Sequence, residues 1–194
     1  MRVISGEFKS RLLKSVPGLE VRPTPDRLRE SLFNILAPAL PGGIFLDAYA
    51  GSGAVGIEAL SRGAAHVVFI EKSKEAIAVI EANLKLIDAA ARTSLLRGTV
   101  RKRLSSSLAD IIFLDPPYPL TAEYSITLET LGEPGTRAKV VIAQHSSRTP
   151  LSASYGCLTR YRELRQGENT LSFYRPESTA AEAQSEPLPR TPES

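Results

Sequence analysis

The sequence has little of what disulfide-stapled, metal-binding and membrane-spanning proteins need. It contains one cysteine, Cys157, which excludes an internal disulfide and any metal site built from several cysteines. Its two histidines, His66 and His145, stand apart from other ligand-type residues, so we predict no metal site. No apolar run approaches the ~20 residues that span a bilayer, and the first residues lack the apolar core of a signal peptide. These absences predict a cytoplasmic protein without a membrane segment.

Positive charge is distributed unevenly along the 194 residues. The chain has 24 Lys and Arg against 21 Asp and Glu, a net charge of +3. Residues 176–194 hold four Glu and one Arg, so residues 1–175 carry +6. This tail is rich in Pro, Ser, Ala, Thr and Glu and cannot bury enough apolar surface to offset its ordering entropy. We therefore predict one domain over residues 1–175, with a disordered acidic tail over residues 176–194.

Short, continuously apolar segments alternate with helical patterns. Core strands are predicted at residues 44–46, 67–70, 95–96, 111–114 and 140–142, and helices at 53–62 and 76–87. A further helix is predicted to start at residues 24–26, within an N-terminal extension over residues 1–40. Segments 158–161 and 171–174 resemble a hairpin that turns at Gln166-Gly167. The predicted fold is α/β, a doubly wound, mostly parallel sheet with a C-terminal antiparallel hairpin.

A glycine-rich segment follows the first predicted core strand and opens a helix. Residues 47–56 read DAYAGSGAVG, in which Gly51, Gly53 and Gly56 satisfy the pattern G-x-G-x-x-G. Such glycines permit a tight turn and let backbone N–H groups approach a ligand. Glu71 ends the next strand, where its carboxylate can accept hydrogen bonds from the hydroxyls of a ribose. Asp47 would repel a pyrophosphate but suits a ligand carrying an ammonium and a sulfonium. The pattern favours S-adenosylmethionine over a dinucleotide, with a turn or capping role left open for Asp47.

A second motif, Asp115-Pro116-Pro117-Tyr118, lies at the end of the fourth predicted core strand. Ligands of open α/β sheets sit beyond the carboxyl ends of strands, which places this turn beside the glycine loop. Two prolines make the turn rigid, so that the Asp115 side chain and the Pro116 carbonyl point outward as acceptors. Two acceptors can grip the N–H bonds of an exocyclic amine and aim its nitrogen at a methyl group. Tyr118 offers a flat face for stacking a base.

Together these motifs resemble those of amino-group nucleic-acid methyltransferases. Residues 22–36, RPTPDRLRESLFNIL, and residues 47–64, DAYAGSGAVGIEALSRGA, are similar to the RsmD family in particular, and the resemblance covers residues 1–175. It implies a Rossmann-like class I methyltransferase fold and S-adenosylmethionine-dependent methylation of guanine N2 in bacterial 16S ribosomal RNA. It also implies that the tetrapeptide at 115–118 binds the guanine. The implied cofactor residues are Asp47, Tyr49, Gly51, Ser52, Gly53, Glu71 and Thr99, the last standing where the family usually has Asp or Asn.

Two groups of basic residues are candidates for RNA contact. In the family-like segment they are Arg22, Arg27 and Arg29, and after the third core strand they are Arg101, Lys102 and Arg103. Clustered cations favour a polyanion partner through counterion release. For Arg22, Arg27 and Arg29, the alternatives are ordering the loop over the active site and forming salt bridges on a helix surface. A chain this compact favours 16S RNA already presented within a small-subunit particle, bound by a monomer.

Three other functions stay open from the sequence. A DNA adenine or cytosine methyltransferase shares the tetrapeptide but usually adds a target-recognition domain. A nicotinamide oxidoreductase would use the same glycines, yet it would leave Asp47 and the tetrapeptide without a role. A non-catalytic RNA-binding module would follow if Thr99 were too weak an anchor for the cofactor.

Overall fold

Strands and helices alternate along the chain from residue 44 to residue 146, and three further strands follow. The structure, a computed structural model, describes residues 1–17, 25–104, 108–117 and 120–177. Its helices are α1 (Asp26–Leu36), α2 (Ala54–Ser61), α3 (Lys74–Leu86), α4 (Val100–Arg103) and α5 (Ala122–Leu131), with a 3-10 turn at Ala90–Arg92. Its strands are β1 (Ile44–Ala48), β2 (His66–Glu71), β3 (Thr93–Arg97), β4 (Ile111–Leu114), β5 (Val140–Ser146), β6 (Ser154–Tyr155), β7 (Leu158–Gln166) and β8 (Asn169–Pro176).

One sheet contains all eight of these strands, in the order β3-β2-β1-β4-β5-β8-β7-β6. Strands β1 to β5 pair in parallel, whereas β8 pairs antiparallel with both β5 and β7. The order reverses between β1 and β4, which creates the crevice where open α/β sheets bind ligands. The predicted doubly wound sheet with its C-terminal hairpin is confirmed. Helix α5, which follows the tetrapeptide, was not predicted from the sequence.

The sheet separates two apolar layers because successive side chains of each strand point to opposite faces. On one face, Phe45 and Phe113 pack with the apolar residues of α1, α2 and α3. On the other face, Leu46 and Leu114 pack with α4 and α5. Burial on both faces explains why the core strands are continuously apolar.

The N-terminal extension is fastened to α2. Residues 1–14, here called the N-terminal strap, close on themselves through an antiparallel bridge between Arg2 and Leu12. The fully buried carboxylate of Glu58 accepts hydrogen bonds from the backbone N–H groups of Ile4 (2.8 Å) and Ser5 (3.0 Å). The strap is therefore held by a charged group of α2, and α1 begins after Pro25, at Asp26. Thr24, the predicted cap of α1, lies outside the described residues.

The structure describes two residues of the predicted tail, Pro176 and Glu177. Pro176 ends β8, and the backbone N–H of Glu177 donates to the carbonyl of Cys157 at 2.8 Å. Residues 178–194 lie outside the described residues, so the disordered tail stays a prediction there. Within the part of the chain that the structure describes, no helix combines the length and apolar character needed to cross a membrane.

Candidate active site

The site is built where β1 and β4 end side by side. Ala48, the last residue of β1, pairs with Leu114, the last residue of β4. The segments that follow, beginning with Tyr49 and Asp115, therefore leave the sheet at the same level. The fold thus brings the two predicted motifs together, although they are more than sixty residues apart in the sequence.

Asp47 connects β1 to the helix that follows the glycine loop. Its side chain is buried, with 2% exposure, and its Oδ2 accepts a hydrogen bond from the backbone N–H of Gly56 at 2.8 Å. Burial raises the pKa of Asp47 well above its usual value, the Gly56 hydrogen bond opposes that rise, and the charges of Asp115 and Glu71 add to it. This contact is the turn role that the sequence left open, and a direct contact with a cofactor stays a prediction.

The glycine loop is shaped by two of its three motif glycines. Gly53 precedes α2 with φ of +78°, a conformation that side chains with a Cβ rarely adopt. At Gly56 a Cβ would lie 2.3 Å from the ring of Phe69, so only glycine lets α2 pack this closely on β2. These two positions explain why the motif needs glycine there, even before any ligand is considered.

Glu71 holds the loop from the end of β2. Its Oε2 accepts a hydrogen bond from the backbone N–H of Gly51 at 2.8 Å. Its Oε1 accepts hydrogen bonds from the backbone N–H groups of Lys72 (2.8 Å) and Ser73 (2.9 Å). The residue predicted to bind ribose is thus placed at the glycine loop, and it is partly exposed. Its contact with a ribose stays a prediction.

Asp115 is the residue after β4. Burial raises its pKa to about 7, which places its charge change within the physiological range. Pro116 is buried and Pro117 is exposed. The Pro117 carbonyl accepts a hydrogen bond from the N–H of Leu120 at 2.9 Å, which closes the turn that leads into α5. Tyr118 lies outside the described residues.

A polar cluster connects the start of the glycine loop with α4 and α5. The hydroxyl of Tyr49 donates to Oε2 of Glu123 at 2.8 Å, and Nη2 of Arg101 lies 2.6 Å from Oε1 of the same carboxylate. Burial alone would raise the pKa of Glu123, but hydrogen bonds from Arg101 and Tyr49 lower it overall. Burial, with the bond to Glu123, raises the pKa of Tyr49. Tyr49, predicted to bind the cofactor, and Arg101, predicted to bind RNA, are therefore joined through α5.

The prediction that Arg29 contacts RNA is wrong. Its side chain is fully buried, its Nη2 donates to the carbonyl of Arg2 (2.6 Å) and to Asp26 (3.0 Å), and its Nε lies 3.9 Å from Glu58. Burial lowers its pKa, against the opposing charges of Glu58 and Asp26. Its position on α1 gave a signal, because Phe33 lies four residues later on the same apolar face. Arg29 instead fastens α1 to the strap and to α2.

The other predicted RNA-contacting residues have different surroundings. Arg27 is exposed on α1, and Lys102 is exposed on α4. Arg103 donates from Nε to the carbonyl of Arg97 at 3.1 Å. Thr99, at the usual adenine-contacting position, is exposed just before α4. Arg22 lies outside the described residues, so its role stays a prediction.

Both histidines have structural partners. Nε2 of His145 lies 2.9 Å from the hydroxyl of Ser172, and burial lowers the pKa of this histidine. Nε2 of His66 lies 2.9 Å from the hydroxyl of Ser94. Across residues 1–17, 25–104, 108–117 and 120–177, no group of three or more His, Cys, Asp or Glu side chains is arranged to hold a metal ion.

Comparisons with known proteins agree on the kind of protein that this chain resembles. Residues 1–175 match a family model described as conserved hypothetical protein 95. YlbH of Bacillus subtilis, named as a candidate rRNA methyltransferase, is 35% identical over an alignment of 189 residues that covers 90% of this chain and 98% of YlbH. Ribosomal RNA small subunit methyltransferase D of Escherichia coli is 39% identical over 125 residues, 61% of this chain and 60% of that protein. The solved structure of yhhF from Escherichia coli, named as a candidate methyltransferase, has a TM-score of 0.78 and 31% identity, covering 92% of this chain and 99% of yhhF.

Proposed function

This chain belongs to the RsmD family of methyltransferases, and we propose on that premise that it methylates the N2 amino group of a guanine in small-subunit ribosomal RNA with S-adenosylmethionine. The observation that carries the proposal is the position of Asp115, which directly follows β4 where that strand pairs with β1, the strand that leads into the glycine loop. The printed name of the Escherichia coli relative supports small-subunit ribosomal RNA as the substrate.

The residues around the glycine loop fit S-adenosylmethionine. A Cβ at Gly51 would meet nothing within 4 Å, so this part of the loop backbone borders open space. Glu71 lies at the same place, because its carboxylate accepts the Gly51 N–H. Asp47 and Asp115 add two carboxyl groups at the ends of neighbouring strands. Acidic groups of this kind suit the positively charged ammonium and sulfonium of the cofactor rather than phosphates. When bound, the cofactor supplies an electrophilic methyl group.

Asp115 and the carbonyl of Pro116 are the acceptors that we assign to the target amine. The lone pair of a guanine amino group is delocalised into the ring, so the amine is a weak nucleophile. Two acceptors that hold its N–H bonds orient the nitrogen and favour the tetrahedral geometry that develops during transfer. The proton released after transfer passes to water or to a carboxylate oxygen of Asp115. Asp115 therefore orients the amine rather than acting as a strong base.

The surface around the site supports an RNA substrate. The guanine must leave its stack to reach Asp115, as bases do in methyltransferases generally, and we assign Tyr118 to pack against it. Arg27 and Lys102 are exposed and suited to phosphates, and Arg22 is assigned with them. We further propose that a monomer acts on a small-subunit particle in which the base is already splayed out. The names of the ribosomal RNA relatives favour RNA over DNA as the substrate. No contact among the described residues favours the oxidoreductase or the binding module, so no second function is proposed.

The test offers labelled S-adenosylmethionine in parallel to small ribosomal subunits, free 16S RNA and DNA. The proposal predicts label in ribosomal RNA, with the subunits preferred over free RNA. The variant Asp115→Ala should bind S-adenosylhomocysteine nearly normally but transfer no methyl group. Label that enters only DNA, or an Asp115→Ala variant that methylates at a rate comparable with the parent protein, would overturn the proposal.

A further inference from the structure

Asn83 is a fully buried amide on α3 to which the proposed mechanism gives no role. It lies on the face of α3 that packs into the core, between the buried side chains of Ile80 and Leu84. A buried amide costs free energy unless it is hydrogen-bonded, so its partners indicate why it stands at an otherwise apolar position.

The side chain of Asn83 joins two segments that lie far apart in the sequence. Its Nδ2 donates to the carbonyl of Lys14 at 3.1 Å and to the carbonyl of Ser52 at 3.0 Å. Its Oδ1 accepts the backbone N–H of Lys14 at 2.8 Å. Both N–H bonds of the amide and its oxygen are therefore hydrogen-bonded. One of the N–H bonds is directed to the loop that is predicted to hold the cofactor.

The two segments matter for different steps of the proposed reaction. Ser52 lies between Gly51 and Gly53 in the glycine loop. Lys14 ends the N-terminal strap and is exposed, as are Lys9 and Arg11, so the strap offers cations suited to RNA phosphates. Helix α3 supports the loop a second time, because a Cβ at Gly53 would lie 3.2 Å from Cγ1 of Ile80. The glycine loop therefore rests on α3, and Asn83 is the group that fixes it to the strap.

We infer that Asn83 is a positioning residue that couples RNA binding at the N-terminal strap to cofactor binding at the glycine loop. RNA bound to the cations of the strap would stabilise the contacts that Asn83 makes with Lys14 and, through Ser52, the cofactor-binding form of the glycine loop. Linkage requires the reverse effect to be equal, so bound cofactor would tighten the binding of RNA by the same factor. This inference rests on the proposed function, and it assigns to α3 a role that neither sequence motif contains.

The test measures binding of labelled S-adenosylhomocysteine by equilibrium dialysis, with and without free 16S RNA. The variants are Asn83→Ala, which removes all three contacts, and Asn83→Asp, which keeps an acceptor for the Lys14 N–H but loses amide donors. Asn34→Ala is the matched control, because Asn34 is exposed on α1 and accepts only a long contact of 3.4 Å from Arg62. Thermal unfolding of each variant shows how much of it is folded at the assay temperature.

The coupling predicts three results. RNA increases the affinity of the parent protein for S-adenosylhomocysteine. Both Asn83 variants bind S-adenosylhomocysteine about tenfold more weakly, because fewer molecules have the loop in its binding conformation. In these variants RNA no longer increases the affinity. Asn34→Ala should keep the parent affinity and the RNA effect. The inference would be overturned if folded Asn83 variants bound S-adenosylhomocysteine with the affinity of the parent protein. It would also be overturned if RNA did not change the affinity of the parent protein for S-adenosylhomocysteine. A parent protein that binds no S-adenosylhomocysteine would instead contradict the proposed function.

Discussion

The rate of methyl transfer should depend on the ionisation of Asp115. Burial raises its pKa to about 7, and the ionised carboxylate is the better acceptor for the target amine. With that pKa, about nine-tenths of the carboxyl groups are ionised at pH 8 and about one-tenth at pH 6. The value of kcat/KM for the cofactor, which reports the free enzyme, should therefore fall about tenfold between those two pH values. In kcat the fall should come at lower pH, because a bound sulfonium favours the charged carboxylate and lowers its pKa.

Initial rates at constant ionic strength, from about pH 5 to pH 9, measure both profiles. The variant Asp115→Asn is uncharged at every pH and should be nearly inactive without an inflection near neutrality. Asp47→Asn is the matched control, because Asp47 also has a raised pKa but contacts Gly56 rather than the target amine. It should retain the inflection that belongs to Asp115. A flat kcat/KM profile across neutrality, or an unchanged inflection in Asp115→Asn, would refute this role for the carboxylate.

Three further predictions concern packing and RNA binding. Gly56→Ala places a Cβ 2.3 Å from the ring of Phe69, and the resulting overpacking should cost about 1–3 kcal/mol in urea unfolding; an unchanged midpoint would contradict it. Arg29→Ala breaks a buried charge cluster and should lower the free energy of unfolding by about 3–5 kcal/mol. Arg27 is exposed, so Arg27→Ala should change that free energy by no more than ~0.5 kcal/mol. Equal losses in the two variants would show that Arg29 has no structural role. Arg101→Ala should make the plot of log affinity for RNA against log salt concentration less steep, by about 1 in slope. An unchanged slope would show that Arg101 serves only its ion pair with Glu123.

Much of the site could be predicted because it depends on local sequence order. The glycine loop needs a strand before it and a helix after it, and Glu71 must end the next strand. Asp115 needs only to end a neighbouring parallel strand, since parallel strands bring their carboxyl ends to one edge. Periodicity and turn residues specify these relations. The confirmed fold therefore follows from the same patterns that placed the two motifs.

Arg29 shows where sequence patterns fail. An arginine near the start of an amphipathic helix is usually solvated, and a cluster of cations favours an RNA contact. The buried partner that changes this interpretation, Glu58, lies in α2 and is brought close only by the tertiary fold. The apolar residues that share its helix face were the one local indication of burial.

Asn83 and Glu123 were missed for a related reason. Each binds backbone or side-chain groups of segments that are distant in sequence, and neither belongs to a recognisable motif. A polar residue between Ile80 and Leu84 is a signal of a satisfied buried amide, but it does not identify the partner. For Glu123, the helix that carries it was itself not predicted. Such contacts depend on which distant segments the fold brings together, and this cannot be inferred from composition or from the spacing of residues in the sequence.

The most direct measurement identifies the methylated atom itself. Small ribosomal subunits that lack the modification are incubated with labelled S-adenosylmethionine and the protein, and the RNA is digested to nucleosides and separated against standards. Because we assign Asp115 and the Pro116 carbonyl to an exocyclic amine, we predict that the label is recovered as N2-methylguanosine. Label on a ring nitrogen, a ring carbon or the ribose would contradict it.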